Sequence, residues 1–444
     1  MLIEFRVANF RSFGEEQALS LVASKDTAHQ GNLIPGERFN LLKAAGLFGA
    51  NASGKSNFVK AMEFMLWFVR TSATQMNLGD EIDVEPFRLG GNSQDQPSRF
   101  EVVLDLEGAR YDYGFSAVRQ RICEEWLTAY PQRRPQRWFH RRFDPLKGDV
   151  KWAFRGPLKG NAEKLLRERT RENGLVLSRG ADLNVGELSR VFEWFRTRVC
   201  ALDLSCPVVS RPLDLRRTSP ESWNRAMRLL KDADMGVEDI HVSPRPKGVT
   251  EFLESIMVWK KIKGQAEWAA GATEIPIGAS FPLRPVVFDS QIRSVHQVTQ
   301  GGESVEFDFT EAESNGTQRF LALTGLWVMA LENGTVVFVD ELDCSLHPLL
   351  TRKLLQFFQD PRENTRGAQL VFVTHDTTLM DLSLLRRDQI WIVEKDAGHA
   401  SRLFSLYDID EKPRKGEAVE KRYLAGRYGG VPMFGPTLEN LESP

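Results

Sequence analysis

The segment Gly49-Ala-Asn-Ala-Ser-Gly54-Lys55-Ser56 constrains this chain more than any other. It matches the pattern GxxxxGK[ST] at every fixed position. Leu42 to Phe48 before it is apolar, as in a buried strand, and Phe58 to Val69 after it has a helical pattern. Glycines let several backbone N–H groups converge on a polyphosphate, and the helix adds the positive end of its dipole. The segment therefore predicts a strand–loop–helix phosphate site in an α/β fold.

The residue types of this loop predict roles in binding ATP with Mg²⁺. The Lys55 ammonium is expected to reach the β- and γ-phosphate oxygens, and the Ser56 hydroxyl to ligate the metal. Contacts with the nucleotide are expected from the loop and the first helical turn, namely Gly49, Asn51, Ser53, Gly54, Lys55, Ser56 and Asn57.

Two later apolar runs end in polar residues that suit the same site. Val336 to Val339 is followed by Asp340 and Glu341, and Leu370 to Val373 is followed by Thr374-His375-Asp376. Such runs are typical of parallel strands buried on both faces, and ligands bind beyond their carboxyl ends. Asp340 is predicted to hold Mg²⁺ through a water, and Glu341 to act as the general base. The alternative for each run is a strand that ends in a solvated polar turn.

Glu313-Ser-Asn-Gly-Thr-Gln318 precedes an apolar helical run. A serine hydroxyl and a glycine N–H at a helix N-terminus form an anion site, although the same residues also suit an ordinary N-cap. The segment resembles the ABC signature LSGGQ in the form S-x-G-[GT]-Q. That resemblance implies that Ser314, Gly316 and Gln318 contact the γ-phosphate of ATP bound to a second copy of the chain.

These four elements occur in the order that is typical of ABC-type ATPases. The resemblance implies an α/β ABC-type P-loop head with a central mixed sheet, in which His375 contacts the γ-phosphate. Asn9-Phe-Arg-Ser-Phe-Gly14 resembles the N-terminal segment of the RecF, Rad50 and OLD-like heads. That segment implies that Arg11 approaches the nucleotide, the alternative being a surface arginine on a hairpin.

The resemblance is closest to the RloA/AbiL-type bacterial ATPases, a group that includes the ATPase subunit of the PARIS anti-phage system. It rests on the C-terminal third, in the segments Phe338-Val-Asp-Glu-Leu-Asp-Cys-Ser-Leu-His-Pro-Leu-Leu, Gln369-Leu-Val-Phe-Val-Thr-His-Asp, Arg386-Arg-Asp-Gln-Ile-Trp-Ile-Val-Glu-Lys395 and Arg422-Tyr-Leu-Ala-Gly-Arg-Tyr-Gly-Gly-Val-Pro432. Such proteins are typically encoded beside a TOPRIM/OLD-like nuclease effector, which implies that this chain restrains or triggers one. His347-Pro348 resembles the same branch and disfavours a transporter ATPase.

We predict three parts in the chain: residues 1–150 and 281–444 as the two halves of the head, and 151–280 as a mostly helical insertion. Within the insertion, Ala162 to Glu172 and Leu188 to Val199 have helical patterns, and Ser219-Pro220 is typical of a helix start. No sustained heptads occur, so the insertion is not a long coiled coil.

The composition limits the partners. The net charge is −2, so nucleic-acid binding would depend on a local patch, for which the basic stretch 132–142 is the candidate and a solvated strand edge the alternative. Phe320 to Leu331 is too short to span a bilayer. The four cysteines show no CxxC spacing.

We expect a cytoplasmic homodimer formed through shared ATP sites, with higher homo-oligomers and a phage-derived or nucleic-acid trigger left open. The alternative hypothesis for the function is a RecF- or Rad50-like DNA-binding ATPase that acts in DNA repair.

Overall fold

The computed structural model describes residues 1–131, 134–203, 219–233, 235–244, 290–297, 304–414 and 416–432. In these residues the strands are β1 (Leu2–Ala8), β2 (Gln17–Ser20), β3 (Leu33–Ile34), β4 (Leu41–Leu42), β5 (Ala44–Phe48), β6 (Ser98–Leu106), β7 (Ala109–Val118), β8 (Arg121–Ala129), β9 (Gln136–Asp144), β10 (Asp149–Phe154), β11 (Val199–Asp203), β12 (Asp239–Pro244), β13 (Ser290–Gln297), β14 (Ser304–Asp308), β15 (Val336–Asp340), β16 (Gln369–Val373), β17 (Ile390–Lys395) and β18 (Ser401–Ser405). The α-helices are α1 (Lys55–Thr71), α2 (Asn161–Arg169), α3 (Val176–Asp182), α4 (Gly186–Thr197), α5 (Pro220–Asp232), α6 (Phe309–Ala312), α7 (Asn315–Asn333), α8 (Pro348–Gln359) and α9 (Val419–Leu424).

The chain divides into two units. The first comprises Met1–Asp203, Asn333–Leu342 and Leu355–Pro444, and the second comprises Leu204–Glu332 and Asp343–Leu354. The predicted boundaries at residues 150 and 280 stay predictions, and residue 280 lies outside the described residues.

The three apolar runs form neighbouring strands in the first unit, as predicted. They belong to a central sheet with the strand order β11-β15-β16-β5-β17-β18. The first five strands in this order, β11, β15, β16, β5 and β17, are parallel. Strand β18 is antiparallel to β17. Strands β5, β15 and β16 are buried at every residue, because a sheet covered on both faces needs continuous apolar strands. The carboxyl ends of the parallel strands therefore meet at one edge.

A second sheet of the same unit is antiparallel, with the order β10-β9-β8-β7-β6-β1-β2. In it β1 pairs with β6, and β6 pairs with β7 as a hairpin. The ring of Phe5 lies 5.2 Å from that of Phe58 on α1 and 6.2 Å from that of Phe338 on β15. The Phe5 ring thus packs the antiparallel sheet against both α1 and the central sheet.

The described part of the basic stretch 132–142 lies mainly in β9 and contains a buried ion pair. Arg141 Nε lies 3.0 Å from Glu125 Oε2, and both side chains are almost wholly buried. The Glu125 carboxylate also accepts hydrogen bonds from the N–H groups of Val176 and Leu177, at the start of α3. Burial raises the pKa of the Glu125 carboxyl, and the Arg141 charge and these hydrogen bonds oppose that rise. Arg141 therefore serves the packing of the sheet against α3.

Arg141→Met should destabilise the fold strongly, because it leaves the Glu125 charge buried without its cation. A loss of about 3–5 kcal/mol in the free energy of unfolding is expected. The matched control is Lys151→Met, which removes an exposed pair of the same sheet in which Lys151 Nζ lies 2.8 Å from Asp144 Oδ2. Urea unfolding followed by circular dichroism measures both variants, and equal midpoints would contradict the structural role of Arg141.

The second unit carries a sheet with the order β12-β13-β14 and the predicted apolar helix. From Phe320 to Leu331 every residue except Met329 is buried in α7, as expected for a core helix. No helix of the described residues is long and apolar enough to cross a membrane. The predicted start of α5 is confirmed, since the Ser219 side chain accepts the N–H of Ser222. The sequence did not predict α3.

Candidate functional site

The loop between β5 and α1 has the backbone that a phosphate site requires. Gly49 has φ +154° and Gly54 has φ +111°, a region that side chains disfavour. A Cβ on Gly49 would collide with the carbonyl oxygen of Val393, and one on Gly54 with the hydroxyl of Ser401. The two glycines are therefore needed for both conformation and space.

The groups inside this loop are those that a polyphosphate uses. Lys55 is buried, and its ammonium donates to the carbonyl oxygens of Gly49 at 2.7 Å and Ala50 at 2.9 Å. The Ser53 hydroxyl is buried and has no hydrogen-bond partner among the described residues. A buried hydroxyl without a partner is costly, and a bound phosphate oxygen would satisfy it. The residues present therefore fit a nucleotide polyphosphate.

Two oxygen groups converge at the start of α1. The Ser56 hydroxyl donates to Asp340 Oδ1 at 3.1 Å, and Asp340 is 5% exposed at the end of β15. Hydroxyl and carboxylate oxygens suit Mg²⁺, which commonly takes one or two protein ligands and completes its shell with water and phosphate oxygens. No group of three or more His, Cys, Asp or Glu side chains that could hold a metal ion occurs in the described residues.

Glu341 follows Asp340 in a strained backbone conformation. Its φ is +54°, which is rare for a side chain of this size, and such strain concentrates at functional sites. The next residue, Leu342, donates its N–H to the carbonyl oxygen of Val373 at 2.9 Å. This bond ties the turn that carries Glu341 to the end of the neighbouring strand. The carboxylate is half-buried and has no partner in the part of the chain that the structure describes.

His375 lies just beyond β16, at the same edge of the central sheet. Its side chain is exposed, whereas the preceding Thr374 is buried and donates its N–H to Leu47 O at 3.4 Å. The order of the strands thus sets the glycine loop, His375 and Glu341 on consecutive strand ends. The edge can hold a polyphosphate, a metal and an attacking water side by side.

Arg11 lies on a tight turn in which Phe10 and Phe13 exchange backbone hydrogen bonds. Its guanidinium pairs with Glu85 at 2.5 Å. The following residue, Ser12, accepts a hydrogen bond from the amide of Asn57 at 2.9 Å. The turn therefore contacts the glycine loop's helix through Ser12, while the contact of Arg11 with a nucleotide stays a prediction.

The segment with the signature pattern lies in the second unit and begins α7. The Ser314 hydroxyl accepts the N–H of Thr317 at 3.1 Å, so it serves as an N-cap. The Gln318 amide donates to the carbonyl oxygens of Glu313 at 3.0 Å and Thr310 at 3.1 Å. Gln318 thus shapes the loop, and the anion-binding role of Ser314 and Gly316 stays a prediction.

Strand β11, which ends at Asp203, is an element of this sheet edge that the sequence analysis missed. In the parallel pairing of β11 with β15, Asp203 lies in register with Asp340. Its run, Val199 to Leu202 followed by an acid, has the same pattern as Val336 to Val339 followed by Asp340. That pattern could have predicted a strand end at this edge, but the strand falls within the segment predicted as a helical insertion.

Comparison with known proteins gives a family. The model of the family described as "AAA domain, putative AbiEii toxin, Type IV TA system" matches residues 44–171 and 225–381, well over half of the chain. Among solved structures, the crystal structure of the SMC head bound to the C-winged helix domain of ScpA is similar at 12% identity. The similarity covers 91% of this chain and 97% of that chain, with a TM-score of 0.37, which is too low to establish a shared fold. No curated protein matches the chain.

Proposed function

The chain belongs to the AAA-domain family described as "putative AbiEii toxin, Type IV TA system", and on that premise we propose that it is a magnesium-dependent ATP hydrolase that regulates a partner protein in bacterial defence. The observation that carries the proposal is the contact between Ser56 and Asp340 beside Lys55, with Glu341 on the adjoining turn. Four chemical roles are thereby brought to one edge of the central sheet.

Each role follows from the chemistry of its side chain. Lys55 neutralises charge on the β- and γ-phosphates, and the N–H groups of the glycine loop donate to their oxygens. Ser56 and Asp340 hold Mg²⁺, which when bound polarises the phosphoryl oxygens. Glu341 orients the attacking water and accepts its proton, and the exposed His375 is placed to donate a hydrogen bond to the γ-phosphate.

We further propose that two copies share their ATP sites. Ser314 and Gly316 lie at the start of α7, a helix of 19 residues, so the loop offers N–H donors and the positive end of a dipole. These groups of one copy would contact the γ-phosphate held by Lys55 of the other. ATP would then favour a closed dimer, because only the triphosphate bridges both copies.

Mixing two inactive variants tests the shared site. Lys55→Ala disables the phosphate loop, and Ser314→Arg places a bulky charge in the proposed signature. A heterodimer of the two carries one intact composite site and one site damaged twice, so the mixture should recover part of the wild-type ATP hydrolysis. Phosphate release is measured after subunit exchange is shown by tagged pull-down.

Sites formed within one copy would give no recovery, since each subunit then carries its own lesion. The control for single-site turnover is wild type mixed with an excess of Lys55→Ala/Ser314→Arg. Verified exchange and single-site activity without recovery in the first mixture would remove the shared site and leave the phosphate loop intact.

For the partner we propose a TOPRIM/OLD-like nuclease. Its support is the resemblance of the C-terminal segments, together with a family description that refers to a putative toxin of a Type IV TA system. The test is to inspect the adjacent genes and to co-express the chain with a neighbouring nuclease. Nuclease activity that is the same with wild type, Lys55→Ala and no ATPase at all would exclude the regulation.

A further inference from the structure

A chain of side-chain hydrogen bonds lies directly behind the glycine loop. The Asn57 amide Nδ2 lies 2.9 Å from the Ser12 hydroxyl, which lies 2.8 Å from the Ser401 hydroxyl. The Ser401 hydroxyl lies 2.6 Å from the carbonyl oxygen of Ser53. Three distant parts of the sequence thus meet at one peptide group of the loop, and the backbone N–H of Ser401 also donates to Ser12 O at 2.7 Å.

The direction of this chain is fixed by its two ends. The Asn57 NH₂ group can only donate, and the Ser53 carbonyl can only accept. Each serine hydroxyl between them has one proton to donate. All three contacts are satisfied only when Asn57 donates to Ser12, Ser12 to Ser401, and Ser401 to Ser53. Hydrogen bonds that share one direction polarise one another, so the last bond of the series, from Ser401 to the Ser53 carbonyl, is strengthened.

The carbonyl at the end of the chain belongs to the Ser53–Gly54 peptide. In a trans peptide the N–H points in the direction opposite to the carbonyl. Because the Ser401 hydroxyl holds the Ser53 oxygen, the Gly54 N–H points away from this series of hydrogen bonds. That N–H has no acceptor within the described residues. The atoms around Gly54 are tightly packed, because a Cβ on Gly54 would collide with the hydroxyls of both Ser401 and Ser12.

From this geometry we infer that Ser12 and Ser401 are positioning residues of the nucleotide site. They hold and polarise the Ser53–Gly54 peptide so that the Gly54 N–H donates to a phosphate oxygen of ATP. The inference rests on the proposed function, since it takes the loop as the ATP site. It adds a role for Ser12, next to Arg11, and for Ser401, on β18.

The test compares Ser401→Ala and Ser12→Ala with wild type in Mg-ATP binding and steady-state hydrolysis. Each variant removes one serine hydroxyl and with it two neutral hydrogen bonds of the series, so ATP affinity should fall at least about fivefold. Because the contact exists in both ground state and transition state, KM should rise while kcat stays near that of wild type. The double variant should lose no more than either single variant, because one break already interrupts the chain.

Two further variants separate positioning from general stability. Ser405→Ala removes a buried hydroxyl at the other end of β18, where Ser405 accepts the N–H of Tyr407 at 3.1 Å. It should lower the unfolding midpoint without changing ATP affinity. Ser12→Thr keeps the hydroxyl and should restore the affinity that Ser12→Ala loses. Ser12 is only half-buried, so its variants are expected to fold even where Ser401→Ala does not.

The outcomes are distinct. Wild-type ATP affinity in a folded Ser401→Ala or Ser12→Ala variant overturns this inference and leaves the proposed function in place. The same holds if Ser405→Ala loses as much ATP affinity as those two variants. Additive losses in the double variant overturn the hydrogen-bond chain. A wild-type protein that binds no ATP overturns the proposed function and this inference with it.

Discussion

Lys55→Ala should abolish measurable ATP binding and hydrolysis while the protein stays folded. The Lys55 ammonium is buried and donates to the carbonyl oxygens of Gly49 and Ala50 in the loop. A triphosphate brings several negative charges to the same place, and charge-assisted hydrogen bonds to it are about twice as strong as neutral ones. Alanine leaves that charge without its cation in a site sheltered from water.

Equilibrium binding of Mg-ATP and release of phosphate measure the effect, and circular dichroism verifies the fold. The matched control is Lys60→Ala, which removes a half-buried lysine of the same helix beyond the loop. The control should bind and hydrolyse ATP like wild type. A folded Lys55→Ala protein with unchanged affinity and turnover would exclude the loop as the ATP site.

Glu341→Gln should bind ATP but hydrolyse it about 10²–10⁴-fold more slowly. The amide keeps the size of the carboxylate but cannot accept the proton of the attacking water. The substitution also keeps the backbone comparable, since glutamine bears the same strain as glutamate at φ +54°. The loss therefore reports on the chemistry of the side chain. An ATP-bound oligomer should accumulate, because its decay requires hydrolysis.

Single-turnover hydrolysis and size-exclusion chromatography with ATP measure the two effects. Asp343→Asn is the companion variant, because Asp343 is the next carboxylate along the chain. Its turnover should stay within about tenfold of wild type if Glu341 is the base. The reverse result, a small loss for Glu341→Gln and a large loss for Asp343→Asn, would reassign the base.

The sequence predicted three strands of the central sheet, β5, β15 and β16, because strands buried on both faces must be continuously apolar. Val336 to Val339 and Leu370 to Val373 are such runs, and both form buried strands. The helix after the glycine loop was predicted for the same kind of reason, since its apolar stripe follows the helical period. The strand β11 was not predicted, because Val199 was assigned to the apolar stripe of the helix that begins near Leu188, whereas that helix ends at Thr197 and the strand begins at Val199.

The basic stretch 132–142 shows a second limit of reading residues locally. Its density of arginines suggested a nucleic-acid surface or a solvated strand edge, but Arg141 is buried. The partner that makes this burial tolerable is Glu125, on the neighbouring strand β8. Which residue of a strand faces a core carboxylate depends on the pairing register, and charge counts carry no information on that register.

By itself the sequence determined the phosphate loop, since Gly49, Gly54, Lys55 and Ser56 act through backbone freedom and reach over a few neighbouring residues. It also determined which residues end the buried strands, because strand ends follow from a local apolar pattern. Only the tertiary structure decided that Ser56 meets Asp340, 284 positions away, and that Ser401 meets Ser12, 389 positions away. The order of strands in the sheets creates these contacts. That order is set by the burial of whole faces against one another, which no short segment of the chain encodes.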